Sequence, residues 1–429
     1  TAEEISATAR EYLIANEDGM TVFNALSWPR WEVIELPDGL EGLQSEEGET
    51  LPSQKIEEKT FVEVKAPSCG WASYQPGGPG EIENTITATK SVLENDLVRV
   101  EFNEFGAIHR IFDKAQQKEL AGGLCNDIRM YKDIPSAFDA WDIDSMYRQQ
   151  PVRLSDKAEI TVTAEGPLFG QLVVERELNN SHMTQTITLR RDARRMDFHT
   201  VIDWQERHKL LKVNFLVDVR ARDAFHEIQF GYLPRPTNRT RELDFDRFEV
   251  VNHKWTALAE GDHGFAVLND SKYGVDVLNN SINLTLLKSA LAPDMTADRG
   301  RQEFTYAFYF WHTPFIESGV VRQGYQLNLP LQTAVGTARS RSLFRLDQDN
   351  IILDTVKPAE DASTGDLVLR LYESMGNKTQ VNLIMDFPFK MAYSADMLEH
   401  VQDELDSVDG QLALEFRPFE IKTLRLVMD

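Results

Sequence analysis

The chain has 429 residues, 42% of them hydrophobic, which is beyond the size at which one core keeps growing and predicts two to four domains. Its 69 acidic residues against 45 basic give a formal charge of −24, which repels phosphate backbones and anionic lipid and so argues for no nucleic acid and no membrane among its partners. Two cysteines, Cys69 and Cys125, are too few for a disulfide framework or a four-thiolate zinc site.

That cysteine usage predicts a reducing compartment, and a cytoplasmic location is the expectation. No run of about 18 apolar residues is present to span a bilayer, and no basic segment followed by an apolar stretch opens the chain. Thr1 in place of Met predicts a chain processed or cut from something longer. The Asn-x-Ser/Thr triplets at Asn179, Asn238, Asn269, Asn279, Asn283 and Asn377 read as chance occurrences, relevant only on a glycosylating route.

In chain order, TAEEISATAREYLIA (1–15) places Ile5, Ala9, Tyr12 and Leu13 at helical spacing, with Thr1 and Glu4 in capping-box positions, and predicts one helix. From Val22 onward the hydrophobic period becomes two, punctuated by Gly, Pro and Asn, which predicts β-sandwich architecture. In TFVEVKA, Val62, Val64 and Ala66 alternate with Glu63 and Lys65. In RRMDFHTVIDW, Met196, Phe198, Ile202 and Trp204 share a face opposite Asp197, His199 and Asp203. LLKVNFLVDVRA aligns Leu211, Val213, Phe215, Val217 and Val219. FTYAFYFWH is large and aromatic on both sides, as a central strand covered on both faces would be.

The polar stretch 37–55 reads as a loop inside a first β unit, and YQPGGPGEIEN (74–84) as its exit linker. The predicted division is a helical tail over 1–18, a small β-sandwich domain over 19–85, a large β-sandwich domain over 86–340, and a C-terminal β unit over 341–429. The predicted fold class is therefore all-β: a large multi-stranded β-sandwich with smaller β-sandwich units at each end and one N-terminal helix.

No HExxH, no G-x-S-x-G elbow and no phosphate loop is present, which removes zinc proteases, serine hydrolases of that type and P-loop NTPases. Single histidines such as His199 and His226 receive no role. Chemistry concentrates instead in FDAWDID (138–144), where Asp139, Asp142 and Asp144 crowd around Trp141. Paired carboxylates can share acid and nucleophile roles in glycoside hydrolysis. A Trp face beside acceptors can equally hold a pyranose, and a solvated loop with Trp141 filling a core is a third reading. Asp298, Gly300 and Arg301 sit in TADRGRQEFTYAFY (296–309), on a loop before the aromatic strand, where rigid sheets carry binding groups.

Eight segments in order then resemble the C-terminal half of an α-mannosidase of glycoside hydrolase family 38: TVFNALSWPRWEVIELP, LENDLVRVEFNEFGAIHRIFDK, FDAWDID, LLKVNFLVDVRA, IQFGYLPRPTNR, LNDSKYG, DRGRQEFTYA and PFEIKTLRL. The resemblance runs from about residue 20 to the end. It implies a metal-dependent, retaining enzyme whose zinc or other divalent cofactor, metal ligands and Asp nucleophile lie on an N-terminal barrel. It also implies that no catalytic and no metal-ligating residue is in this chain, which taken alone is expected to be inactive. The partners implied are an α-mannoside carbohydrate and the protein's own catalytic barrel. A homo-oligomer is left open.

Within FDAWDID the family pattern centres on Ala140, Trp141 and Asp142, so Trp141 and Asp142 carry more weight as substrate-binding residues than Asp139. Asp298, Gly300 and Arg301 match their segment, whereas Gln302 stands where many relatives have His, which puts a proton-transfer role there in doubt. Two other readings remain beside the half-enzyme: a stand-alone carbohydrate-binding module, and a purely structural scaffold.

Overall fold

A computed structural model describes residues 2–361 and 365–428. Helix α1 spans Ala2–Leu13; Thr1, and with it the expected capping box, lies outside the described residues. Ile5, Tyr12 and Leu13, the apolar side that predicts this helix, are exposed. From there the chain is overwhelmingly strand, arranged in antiparallel sheets, and among the described residues no sheet closes into a barrel.

Two compact units result. One comprises residues Glu83–Ile228 and Leu233–Asn328; the other comprises residues up to Ile82, Gln229–Tyr232, and the chain from Leu329 onward.

The first unit is the large sandwich. Its nine-stranded sheet runs in the order Glu159–Glu165, Phe169–Leu178, Ser181–Arg190, Arg195–Trp204, Gly300–Trp311, His263–Asn269, Trp255–Glu260, Asp223–Ile228 and Gly231–Pro236. The aromatic strand Gly300–Trp311 is thus the middle of nine, as its two apolar faces require. A six-stranded sheet is built around Asp127–Lys132, Lys209–Leu216 and Ser281–Lys288, and a five-stranded sheet spans Thr87–Glu119.

Buried residues of all three sheets form one core. At its centre Phe198 stacks on Tyr306 with centroids 5.1 Å apart, and Phe265 on Phe308 at 5.5 Å. Four polar side chains that enter this core close on one another. Tyr306 donates its hydroxyl to Asn126 Oδ1, Asn126 Nδ2 donates to Gln185 Oε1, and Gln185 Nε2 donates to Tyr306 and Thr200. A fully satisfied network of this kind specifies one packing without leaving a buried donor unpaired.

In strand Arg195–Trp204, Met196, Phe198, Ile202 and Trp204 are buried and His199 and Asp203 exposed, following the alternation. Asp197 is buried as well, and its burial is matched by Arg195 and Arg190, whose guanidiniums hold its carboxyl below the ordinary range against the opposing effect of desolvation.

In the second unit, strand Asn16–Asn24 lies between Gly70–Pro76 and Gln332–Thr337. Met20, Val22, Val62, Val64, Ala66 and Tyr74 form its core. Residues from Phe344 to Val427 build two further sheets around Ile351, Leu369, Leu371, Leu383, Leu424 and Leu426. The smaller sandwiches flank the large one in sequence.

Candidate functional site

The FDAWDID segment belongs to a long excursion, residues 133–150, that leaves strand Asp127–Lys132 and returns to pair with it. Tyr131 faces Pro151 and Met130 faces Val152 in register, and Lys132 donates its N–H to Gln150 O at 2.9 Å. The base of the loop is therefore fixed by the sheet. Its interior is fixed by carboxylates.

Asp133 is buried. One oxygen pairs with the Lys288 ammonium and the other accepts the Asp144 N–H at 2.8 Å. Asp144 in turn accepts from Met146 N–H at 2.9 Å and Gln150 Nε2 at 3.1 Å. Tyr147 is buried against Tyr131, with ring centroids 5.0 Å apart, and donates its hydroxyl to Asp276 at 3.1 Å.

Asp139 ties the tip to a second stretch of chain. Its Oδ2 accepts from Leu291 N–H at 2.7 Å, from Ala292 N–H at 3.2 Å and from His208 Nε2 at 3.1 Å, while its Oδ1 is buried without a hydrogen bond. Burial pushes this carboxyl upward, but the Leu291 N–H, the His208 ring and the Lys288 charge together hold it below its ordinary value.

The peptide between these anchors turns sharply. Phe138 takes φ 54°, and its carbonyl accepts the N–H groups of both Trp141 and Asp142 at 2.8 and 2.9 Å. A side chain forced into the left-handed region costs about 1 kcal/mol, and such cost persists where surrounding bonds over-determine the backbone. The turn pushes Trp141 outward, 74% exposed, with Phe138 also exposed. Asp142 is exposed, and among the described residues no hydrogen bond or ion pair engages its carboxylate. An uncovered indole face beside an unspent acceptor can stack on a sugar ring and accept from its hydroxyls.

The segment Asp139 grips continues into the other candidate residues. Asp294 accepts from Thr296 N–H and hydroxyl at 2.8 and 2.9 Å. Asp298 takes φ 59°, and its carbonyl accepts from Gln302 Nε2 at 3.0 Å. Gly300 at φ 107° opens the central strand opposite Trp204, a conformation only glycine adopts freely. Arg301 is exposed and pairs with Glu303 at 2.5 Å. Gln302 therefore holds a backbone oxygen.

The structure thus joins the two candidate segments through Asp139, Leu291 and Ala292. Among the described residues no hydrogen bond, ion pair or ring contact links Trp141 or Asp142 to Asp298, Gly300 or Arg301. Sequence reasoning missed His208 and Lys288, which brace the loop from neighbouring strands; each lies far from residue 139 in sequence, and no local pattern marks them. Among the described residues no three His, Cys, Asp or Glu side chains gather as metal ligands.

With this geometry in view, residues 93–296 match the family model "Glycosyl hydrolases family 38 C-terminal domain", and residues 350–424 match "Glycosyl hydrolases family 38 C-terminal beta sandwich domain". The chain carries the C-terminal domains of glycoside hydrolase family 38 α-mannosidases. Its relatives include Alpha-mannosidase 2C1 of Homo sapiens, 35% identical over 96% of this chain, and Alpha-mannosidase G of Dictyostelium discoideum, 31% identical over 96%. The chain spans 40% of the length of each. The crystal structure of an α-mannosidase from Enterococcus faecalis V583 superposes with TM-score 0.78 at 16% identity, covering 99% of this chain and 58% of that one. That likeness establishes a shared fold. The 133–150 loop lies inside the first matched region, as does the segment up to Thr296.

Proposed function

We propose that this chain is the C-terminal β region of a retaining, metal-dependent α-mannosidase that hydrolyses terminal α-mannosides. The observation that carries the reading is 35% identity to an α-mannosidase across 96% of the chain, including the loop that presents Trp141. In this reading the catalytic carboxylates and the zinc or other divalent ion belong to a barrel outside these 429 residues. The β region packs on that barrel and lends it the 133–150 loop. Trp141 supplies a ring face and Asp142 an acceptor for the mannoside, holding it in orientation while other groups break the bond. Asp139 acts as a positioning residue for both. Asp298, Gly300 and Arg301 stand on the adjoining segment as further substrate contacts.

The exposed apolar side of α1, with Ile5 73% and Tyr12 91% exposed, supports packing of this region on more protein, since a helix earns stability mainly by burying that side. Two unbridged cysteines, of which Cys125 is buried and pushed up by that burial, agree with a reducing, cytoplasmic setting.

The test compares this chain with the longer protein it is proposed to belong to, on an aryl α-mannoside. The chain alone should be inert and the longer protein active and abolished by chelation. Zinc-dependent turnover by the chain alone would overturn the assignment of the chemistry elsewhere. The openness of Trp141 favours one second reading, a free-standing carbohydrate-binding module. Saturable binding of mannose or mannobiose by the chain alone would support that module over the half-enzyme.

A further inference from the structure

In a chain of charge −24, one cavity of the large sandwich is lined by arginines. Arg235, at the end of strand Gly231–Pro236, Arg239 on the following loop, and Arg247 just after the short helix α2 (Glu242–Asp246) surround a space of about 30 Å³ floored by His226, Val250 and Val277. That is room for one or two water-sized atoms. Like charges gathered this way repel unless carboxylates answer them, and the carboxylates here are already committed.

Asp244 also lines the cavity, but it is claimed by Arg241, whose guanidinium donates to it at 2.7 and 3.2 Å, and by the N–H groups of Arg241 and Thr240. Arg239 lies 3.6 Å from Asp276 Oδ1, but the other oxygen of Asp276 takes both the Arg148 guanidinium and the Tyr147 hydroxyl, so one carboxylate is shared by two arginines. Glu249 is occupied by Lys212 and Thr285. Arg235 donates to Val251 O at 3.3 Å, and both its burial and the neighbouring Arg247 charge push it below its ordinary value. Arg247 is exposed, and among the described residues no hydrogen bond or ion pair engages its side chain. His226 is buried on Thr256 and is driven down to about 3, first by burial and then by Arg235, so it adds a neutral wall and no counter-charge.

We propose that Arg235, Arg239 and Arg247 form a binding site for a small oxyanion of the phosphate class, with one or two of its oxygens in the cavity and the rest at the mouth beside Arg247. Forked guanidinium donors match phosphate oxygens bidentately, and the charge of Arg235 and Arg247, which no carboxylate among the described residues pairs, supplies the drive, while Arg239 is already paired with Asp276. The site is independent of the mannoside reading.

Inorganic phosphate is the probe, titrated calorimetrically into the 429-residue chain at neutral pH and constant ionic strength. Saturable binding and a rise in unfolding temperature are expected. Arg247→Ala should weaken binding about tenfold without lowering the unfolding temperature of the phosphate-free protein, because nothing holds that side chain. Arg247→Lys should fall between, having the charge without the fork, and Arg417→Ala, an exposed arginine in the C-terminal sandwich, should leave binding unchanged. Absence of saturable binding, or binding undiminished in Arg247→Ala, would overturn the proposal.

Discussion

Among the loops organised by carboxylates, two, one from each compact unit, use them differently. At the turn after strand Leu367–Glu373, the fully buried Glu373 accepts from the backbone N–H groups of Met375, Gly376, Asn377 and Phe419 and from Asn350 Nδ2, all within 3.0 Å. Both of its oxygens are engaged, and among the described residues of this turn no aromatic ring or carboxylate projects unengaged. In the 133–150 loop, Asp133 and Asp144 engage both oxygens and Asp139 engages its Oδ2 with three donors, yet the loop ends with Trp141 and Asp142 projecting and, among the described residues, unengaged. A cluster of acids therefore signals architecture as readily as chemistry. What separates the two loops is the remainder after backbone donors have been satisfied.

The sharpest way to break the comparison is at Glu373. Glu373→Ala strands five donors in a buried turn, for a loss of about 3–5 kcal/mol, read as a fall in the urea midpoint. Glu373→Gln keeps one acceptor oxygen and should lose less. A loss below about 1 kcal/mol for the Ala variant would mean water replaces the carboxylate, and the turn would not be carboxylate-built.

Asp139→Ala comes next, at about 1–3 kcal/mol, because His208 and the Leu291 and Ala292 N–H groups lose one shared acceptor at a partly exposed site. The loop should also become protease-sensitive. Its pH dependence has a defined sign. Folding lowers the Asp139 carboxyl below its ordinary value, so its contribution is complete above the unfolded value near 4 and is lost as pH falls through the lower folded value. The wild type and Asp139→Ala should therefore converge in stability on acidification below about pH 4. Curves that stay parallel into acid would show that the charge of Asp139 does not hold the loop.

How much of this was legible beforehand follows from the range of the forces involved. Val62, Val64 and Ala66, and the two-sided aromatic run at 304–312, announce strands and even a central strand, since period and burial are local. The family likeness of the stretch that holds FDAWDID was legible as well. Helix α3, Val320–Asn328, was not: Gly324 in its middle lowers helix propensity. The reason for that glycine is tertiary, because a Cβ there would sit 3.0 Å from Trp255 Cδ1. The pairing of Asn16–Asn24 with Gln332–Thr337 was equally hidden, joining segments more than 300 residues apart. So was the division of labour among Asp139, Asp142 and Asp144. The donors that claim Asp139 sit at residues 208, 291 and 292, and no spacing within seven residues can tell a claimed carboxylate from a free one.

The smallest expected effect on stability is the one that matters most for function. Trp141 is 74% exposed and Asp142 is unengaged, so Trp141→Ala and Asp142→Asn should each stay within about 0.5 kcal/mol of the wild type. A residue retained for packing could not be removed so cheaply. If the loop serves a mannoside site, the same substitutions in an active, longer protein should weaken kcat/KM on an aryl α-mannoside by about tenfold or more, equivalent to roughly 1.4 kcal/mol of lost binding in the transition state. Asp139→Ala should produce a comparable kinetic loss only together with its stability loss, because it acts by placing the loop. Unchanged kinetics in Trp141→Ala and Asp142→Asn with intact folding would reduce the 133–150 loop to the status of the Glu373 turn, a structural brace with an exposed tip.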